Sequence, residues 1–352
     1  MILVTGSLAF DYIMDFPGKF SDHIMPDKIH TLNLSFLVNT LKKQKGGTAG
    51  NIAYNLAILK CPVSILGAAG ADFSVPTESG YSYGQFLKDA GVDISKIKII
   101  DNDSTSSAYI MTDKVDNQIS GFYPGAMSEN SSLSLKELGS DFVVVSPNDP
   151  KAMVKFAQEC KELGVDHMID PGMQLPALSS EDLKEMVKGA TILIGNDYEI
   201  ALLKERTALS EEQILDQVKI LITTLGADGS VIQTAENMPP SRSQSPPGRW
   251  QIKAAKSGQK KIATVRSVDM NVPRNDNGVV DPTGAGDAYR AGFLAGYLKK
   301  LDLQVCGQMG SVTACYAIEK YGTTSHTFTV EEFRERYKEN FGEEPSLLSL
   351  RV

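Results

Sequence analysis

Residues Asp281–Phe293 read DPTGAGDAYRAGF. Gly284, Ala285 and Gly286 lie between two carboxylates, and the following run, AYRAGFLAGYLKK, has the pattern of a helix. Small residues at a helix start leave backbone N–H groups without acceptors, and with the helix dipole these make a ready anion site. A phosphoryl group developing charge during transfer suits such a nest. Asp287 in the same turn would repel a bound phosphate. The conflict disappears if its carboxylate faces an acceptor hydroxyl and takes the proton as general base. The alternative reading of Asp287 is a helix cap after a glycine turn.

Working outward, short apolar runs alternate with amphipathic segments. ILVTG from Ile2, VSILGAAG from Val63, DFVVVS from Asp141, DHMID from Asp166, TILIGN from Thr191 and KILITTLG from Lys219 read as strands buried on both faces. Ser179 with Asp182, and Ser210 with Gln213, have the spacing of capping boxes. This alternation predicts an α/β chain with a doubly wound, mostly parallel sheet flanked by helices. Residues 15–45 lack a helical pattern, and the run from Ser106 alternates like a hairpin around DKVDNQ. These two stretches are read as a small β lid, covering residues 15–45 and 101–126. Residues 1–14, 46–100 and 127–352 are then left to the large domain. A basic, Pro- and Ser-rich insertion runs from about 236 to 278 and contains Trp250, the sole tryptophan. It reads as a surface loop or as a flap beside an anionic cofactor.

Composition narrows the function classes. The chain has 352 residues, a formal net charge of −8 and 42% hydrophobic residues. An acidic balance speaks against a general nucleic-acid or anionic-membrane surface. Cys61, Cys160, Cys306 and Cys315 show no metal spacing and point to reduced thiols, hence a cytoplasmic setting. No secretory leader is evident, and no apolar run reaches the ~18 residues of a membrane span. There is no GxxxxGK[ST] loop and no GxGxxG after the first strand, which tells against P-loop and dinucleotide enzymes.

DPTGAGDAYRAGF resembles the C-terminal signature of the ribokinase-like (PfkB) carbohydrate and nucleoside kinases, and GGTAGNIAYNLAILK, Gly46–Lys60, resembles their N-terminal one. VTGSLAFDYIMDFPGKFSD, NLSFLV, GAAGADF, FYPGAMSE and NDYE further resemble the bacterial, mycobacterial-type adenosine kinases of that family. The resemblance implies ATP-dependent phosphorylation of a nucleoside 5′-hydroxyl, adenosine foremost, under a lid that also mediates a homodimer. Asp11, at the end of the first strand, would accept ribose hydroxyls beside Gly46, Gly47 and Asn51. Ser7, Ser35 and Gln174 would touch the nucleoside, and Tyr109 with Phe122 would stack on the base or form lid core. Asn196 and Glu199 match the motif that orders Mg²⁺ and phosphates largely through water, although the same pair reads as a helix cap. Thr224, Gly226 and Gly229 would receive ATP. YGTTSHTF, Tyr321–Phe328, resembles a segment near the nucleotide pocket and a monovalent-cation site, which leaves potassium open. Met173 and Ala177 replace polar partners of the adenosine kinases, so a related sugar or nucleoside kinase, or a nucleotide sensor without turnover, stays open too. Arg290 is read as an ion-pair or surface residue, and His326 as structural.

Overall fold

The computed structural model describes residues 1–25, 31, 33–76, 80–115, 117–234, 261–265 and 281–342. The chain begins with β1 (Ile2–Thr5), turns, and enters a second sheet as β2 (Ala9–Asp15) and β3 (Thr40–Gly46). Helix α1 (Thr48–Ile58) returns it to the first sheet for β4 (Val63–Gly70), α2 (Tyr83–Ala90) and β5 (Ile97–Ile100). The hairpin β6 (Ser106–Thr112) and β7 (Gln118–Tyr123) completes the second sheet. Strand–helix alternation then runs through β8 (Phe142–Val145), α3 (Pro150–Leu163), β9 (His167–Ile169), α4 (Ser180–Val187) and β10 (Ile192–Asn196). It continues with α5 (Asp197–Thr207), α6 (Glu211–Leu215) and β11 (Ile220–Thr224). Strands β12 (Ser230–Thr234) and β13 (Lys261–Val265) precede α7 (Ala285–Tyr297), α8 (Leu303–Ile318) and α9 (Val330–Phe341).

The large sheet has the order β13-β12-β11-β10-β9-β8-β1-β4-β5. Every pairing from β5 to β11 is parallel, and β12 and β13 extend the edge antiparallel. Successive side chains of a strand point to opposite faces, and the core follows that parity. Ile2, Val4, Ile192, Ile194, Ile220 and Ile222 pack with residues of α1, α7 and α8. Leu3, Leu193 and Leu221 pack on the other face with residues of α3, α4 and α5. Burial on both faces explains why the six runs predicted as strands are almost continuously apolar. Both predicted capping boxes form, Ser179 with Asp182 and Ser210 with Gln213.

Strand order reverses at β1, which has β4 on one side and β8 on the other. In an open α/β sheet, ligands bind outside the strand carboxyl ends at such a reversal. The start of α1 is fixed there. Thr48 N donates to Ser7 Oγ (3.0 Å), and Thr48 Oγ1 lies 3.0 Å from Ser146 Oγ and donates to the Pro147 carbonyl (3.2 Å).

The lid sheet has the order β3-β2-β6-β7. Its boundary departs from the expectation. Residues 9–14 are not large-domain chain; they form β2, so Asp11 belongs to the lid sheet and not to the end of the first strand. Both halves of Ile2–Asp15 are extended and apolar, and only the tertiary bend near Ser7 separates them. Outside the sheet, Phe16, Phe20, His23 and Phe36 form a small aromatic cluster that holds the lid extension. The basic insertion and Trp250 lie outside the described residues, apart from the backbone of β13.

Candidate active site

Helix α7 begins where the sequence places it. Gly284 takes a left-handed φ of 83°, and a Cβ there would press on Thr323. The first helical hydrogen bond runs from Ala288 N to the Gly284 carbonyl (2.9 Å), so the amides of Gly286 and Asp287 precede it. Asp281 ties the turn on both sides, accepting from Thr283 N (2.9 Å) and Gly322 N (2.9 Å). The amide turn and the half-buried Asp287 therefore share one helix start, and the C-terminal segment holds it in place.

Asn51 reaches this carboxylate from α1. Its Nδ2 donates to Asp287 Oδ2 (2.8 Å), while Thr323 Oγ1 donates to Asn51 Oδ1 (2.8 Å) and lies 3.0 Å from the Lys45 carbonyl. Thus Asn51 holds Asp287, and Thr323 holds Asn51. Burial raises the Asp287 carboxyl, while the Arg290 guanidinium and the Asn51 hydrogen bond pull it down. Burial, joined by the charges of Asp281 and Asp287, pushes Asp11 up to about 6. Three carboxylates converge here from β2, the Asp281 turn and α7. A cleft of about 700 Å³ opens beside them, lined by Asp11, Ile13, Lys42, Gln44, Ile110, Asp281 and Thr323 among others.

The glycines before α1 answer to the same site. Gly47 has φ 87°, and a Cβ there would lie 2.6 Å from the Ser7 carbonyl oxygen. A Cβ on Gly46 would collide with the Asp11 carboxylate. Beneath them Tyr83 is fully buried, and its hydroxyl donates to the Gly46 carbonyl (2.6 Å).

The nucleotide-side candidates gather along neighbouring strand ends. Asn196 and Thr224 are register partners on β10 and β11. Asn196 Oδ1 accepts from Glu199 N (2.7 Å), and Glu199 Oε2 accepts from Asn196 N (2.8 Å), a complete capping box. Gly226 and Gly229 shape the turn into β12, with φ of 58° and 88°. Glu199 is half-buried, and its charge acts on both Asp170 and Asp287. A half-buried carboxylate with one oxygen in a backbone cap keeps the other for a hydrated Mg²⁺, and suits it better than direct ligation by several protein groups.

Other candidates sit elsewhere. Ser7 is buried and anchors the start of α1. Ser35 is exposed on the chain leading to β3. Gln174 is half-buried after β9, beside the exposed Met173. Tyr109 and Phe122 do not form a clamp. Phe122 pairs with Ala108, the β6 residue opposite Asp11, so it shares the cleft face. Tyr109 points to the outer face and stacks on Tyr12, with ring centroids 4.9 Å apart. Their one-residue offset in the hairpin register accounts for the difference. His326 is structural, buried with Nε2 2.8 Å from Asn55 Oδ1, and burial lowers it to about 4.

Residues 9–247 and 254–329 match the model of the pfkB family carbohydrate kinases. The chain belongs to that family. A nucleoside kinase of Methanocaldococcus jannaschii is 30% identical over 340 residues, covering 96% of this chain and 97% of its own length. A nucleoside kinase of Methanothermobacter thermautotrophicus is 28% identical, covering 98% of each. In three dimensions the chain is similar to the Burkholderia thailandensis nucleoside kinase in complex with ADP-inosine, with a TM-score of 0.79 and 30% identity. That match covers 100% of this chain and 99% of the other. These relatives are named for nucleosides as a class, so the finer likeness to mycobacterial adenosine kinases gives way to the broader group. In this PfkB-family chain, Asp287 and its turn stand at the start of α7 and are tied to α1 through Asn51.

The sequence did not single out Thr323, Tyr83 or the partner of Arg290. Arg290 is buried in an ion pair with the equally buried Asp170, Nε to Oδ2 2.6 Å. The DP dipeptide at Asp170, a carboxylate just after an apolar strand, was the available signal for a buried charge.

Proposed function

We propose that this PfkB kinase transfers the γ-phosphoryl group of ATP to the 5′-hydroxyl of a nucleoside, with adenosine as an acceptor. The observation that carries this reading is Asp287 in the same helix start as the open amides, opposite Asp11 on the lid. The full-length similarity to nucleoside kinases supports it. Asp11, Gly47 and Gly46 hold the ribose, and Phe122 and Ile110 offer an apolar surface to the base. Asn51 keeps Asp287 aimed at the 5′-oxygen, and Asp287 accepts its proton. The amides of Gly286 and Asp287 stabilise the transferring group, whereas the Ala285 amide, expected with them, donates to the Pro282 carbonyl (3.2 Å). Asn196, Glu199, Thr224 and the Gly226–Gly229 turn hold the nucleotide. Glu199 would hold magnesium through water, and the bound ion would neutralise charge on the phosphates. The lid excludes water and so protects ATP from hydrolysis.

The outer lid face supports pairing with a second copy, because Leu41, Tyr109, Ile119 and Tyr123 are all exposed there. Acceptor choice is tested by ADP release from Mg-ATP with adenosine, inosine, guanosine, cytidine, ribose and fructose. Turnover with nucleosides, adenosine included, is expected. Turnover confined to free sugars contradicts the reading. Parallel runs in potassium and choline salts test the monovalent-cation expectation.

A further inference from the structure

Arg290 lies one helical turn after Asp287 and is buried. A Cβ on Gly286 would stand 2.6 Å from Arg290 Nη1, so the guanidinium folds back beneath the amide turn against Gly286. Its far side meets Asp170, which follows β9 at the carboxyl end of the sheet, Nε to Oδ2 2.6 Å. The pair is a poor stabilising device. Asp170 Oδ1 is buried with no hydrogen-bond partner among the described residues. A buried ion pair left incompletely satisfied is often matched or bettered by apolar residues of similar size. Its location, under the reacting turn and between two separate elements, suits a brace.

We propose that Arg290 is a positioning residue for phosphoryl transfer, whose guanidinium, anchored on Asp170, supports the Gly284–Gly286 turn from below and fixes the direction of its amides and of Asp287. Arg290 touches neither substrate. Through Asp170 it locks α7 to the end of β9, and its charge opposes the effect of burial on Asp287. Gly286 accordingly has two tasks, an open amide above and room for a guanidinium below. The inference rests on the kinase reading given above.

The test compares native protein with Arg290→Met, Arg290→Lys and the double variant Arg290→Met with Asp170→Asn. Misplacing a reacting group by about 1 Å costs on the order of 10²-fold in rate. Arg290→Met should therefore lose about that factor in kcat, while KM for nucleoside and for ATP stays near native. Arg290→Lys, a point charge without the planar fork, should recover only part of the loss. The double variant removes both charges and so avoids a buried unpaired carboxylate. It should regain the thermal midpoint and remain slow, which also covers failure of the single variant to fold. Recovery of kcat together with the midpoint, or native kcat in Arg290→Met, overturns the positioning role alone. Absence of turnover by native protein with every nucleoside overturns the kinase reading and this inference together.

Discussion

Asp11 shows how one side chain can set a pH limit. It lies against Gly46 and lines the cleft with Asp281, and burial with the charges of Asp281 and Asp287 raises its carboxyl to about 6. In the proposed reading, protonation removes an acceptor for ribose hydroxyls. As pH falls through about 6, KM for nucleoside should therefore rise, and above that value it should be level. Asp11→Asn should flatten this limb and raise nucleoside KM by roughly 10–100-fold, since hydrogen bonds to charged groups contribute about 1.5–3 kcal/mol. It should also shift the acidic limb of kcat to lower pH, because one negative charge beside Asp287 is gone. Initial rates from pH 5 to 8 check both shifts; an unchanged KM profile in Asp11→Asn contradicts the assignment. Asp11 itself was legible in the sequence, whereas its strand was not. Nothing between Ile2 and Asp15 marks where one sheet ends and the next begins.

At the scale of elements, the start of α5 combines a cap with the proposed nucleotide contact. The Asn196–Glu199 box satisfies both ends of that turn. Replacing such a cap by alanine costs about 0.5–2 kcal/mol, while serine keeps it. Asn196→Ser should hold the thermal midpoint and still raise KM for ATP, because the shorter side chain loses reach toward the phosphates. Native KM in that variant would mean the motif serves only as a cap. The caps and buried strands were readable because they are local, being short spacings and apolar runs. The contacts that complete the site are not local. Thr323 meets Asn51 across 272 positions, and Asp170 meets Arg290 from the end of a different strand. The sequence left Tyr109 and Phe122 open between base stacking and lid core, because a single-residue register offset decides which face each takes and the alternation of each strand alone does not fix that offset.

At the scale of the whole molecule, the lid has an apolar outer face that suits a second copy of the chain. Leu41, Tyr109, Ile119 and Tyr123 present apolar surface away from the cleft. Sedimentation velocity should show a dimer, and Leu41→Glu with Tyr109→Glu should give monomers. A monomeric native protein at micromolar concentration contradicts the pairing. Among the described residues, no helix is long and apolar enough to cross a membrane. The large sheet, the switch point at β1 and the lid together frame Asp287, where the proposed reading brings an acceptor and a phosphoryl group together.

The most direct test of that arrangement is single-turnover phosphorylation of adenosine by native protein and by Asp287→Asn, both saturated with Mg-ATP and nucleoside. The account predicts 5′-phosphorylated product from the native chain. It predicts a loss of about 10²–10⁴-fold in the variant, the range for a positioned general base, with nucleotide and nucleoside binding retained. Product formation by Asp287→Asn at the native rate would contradict it.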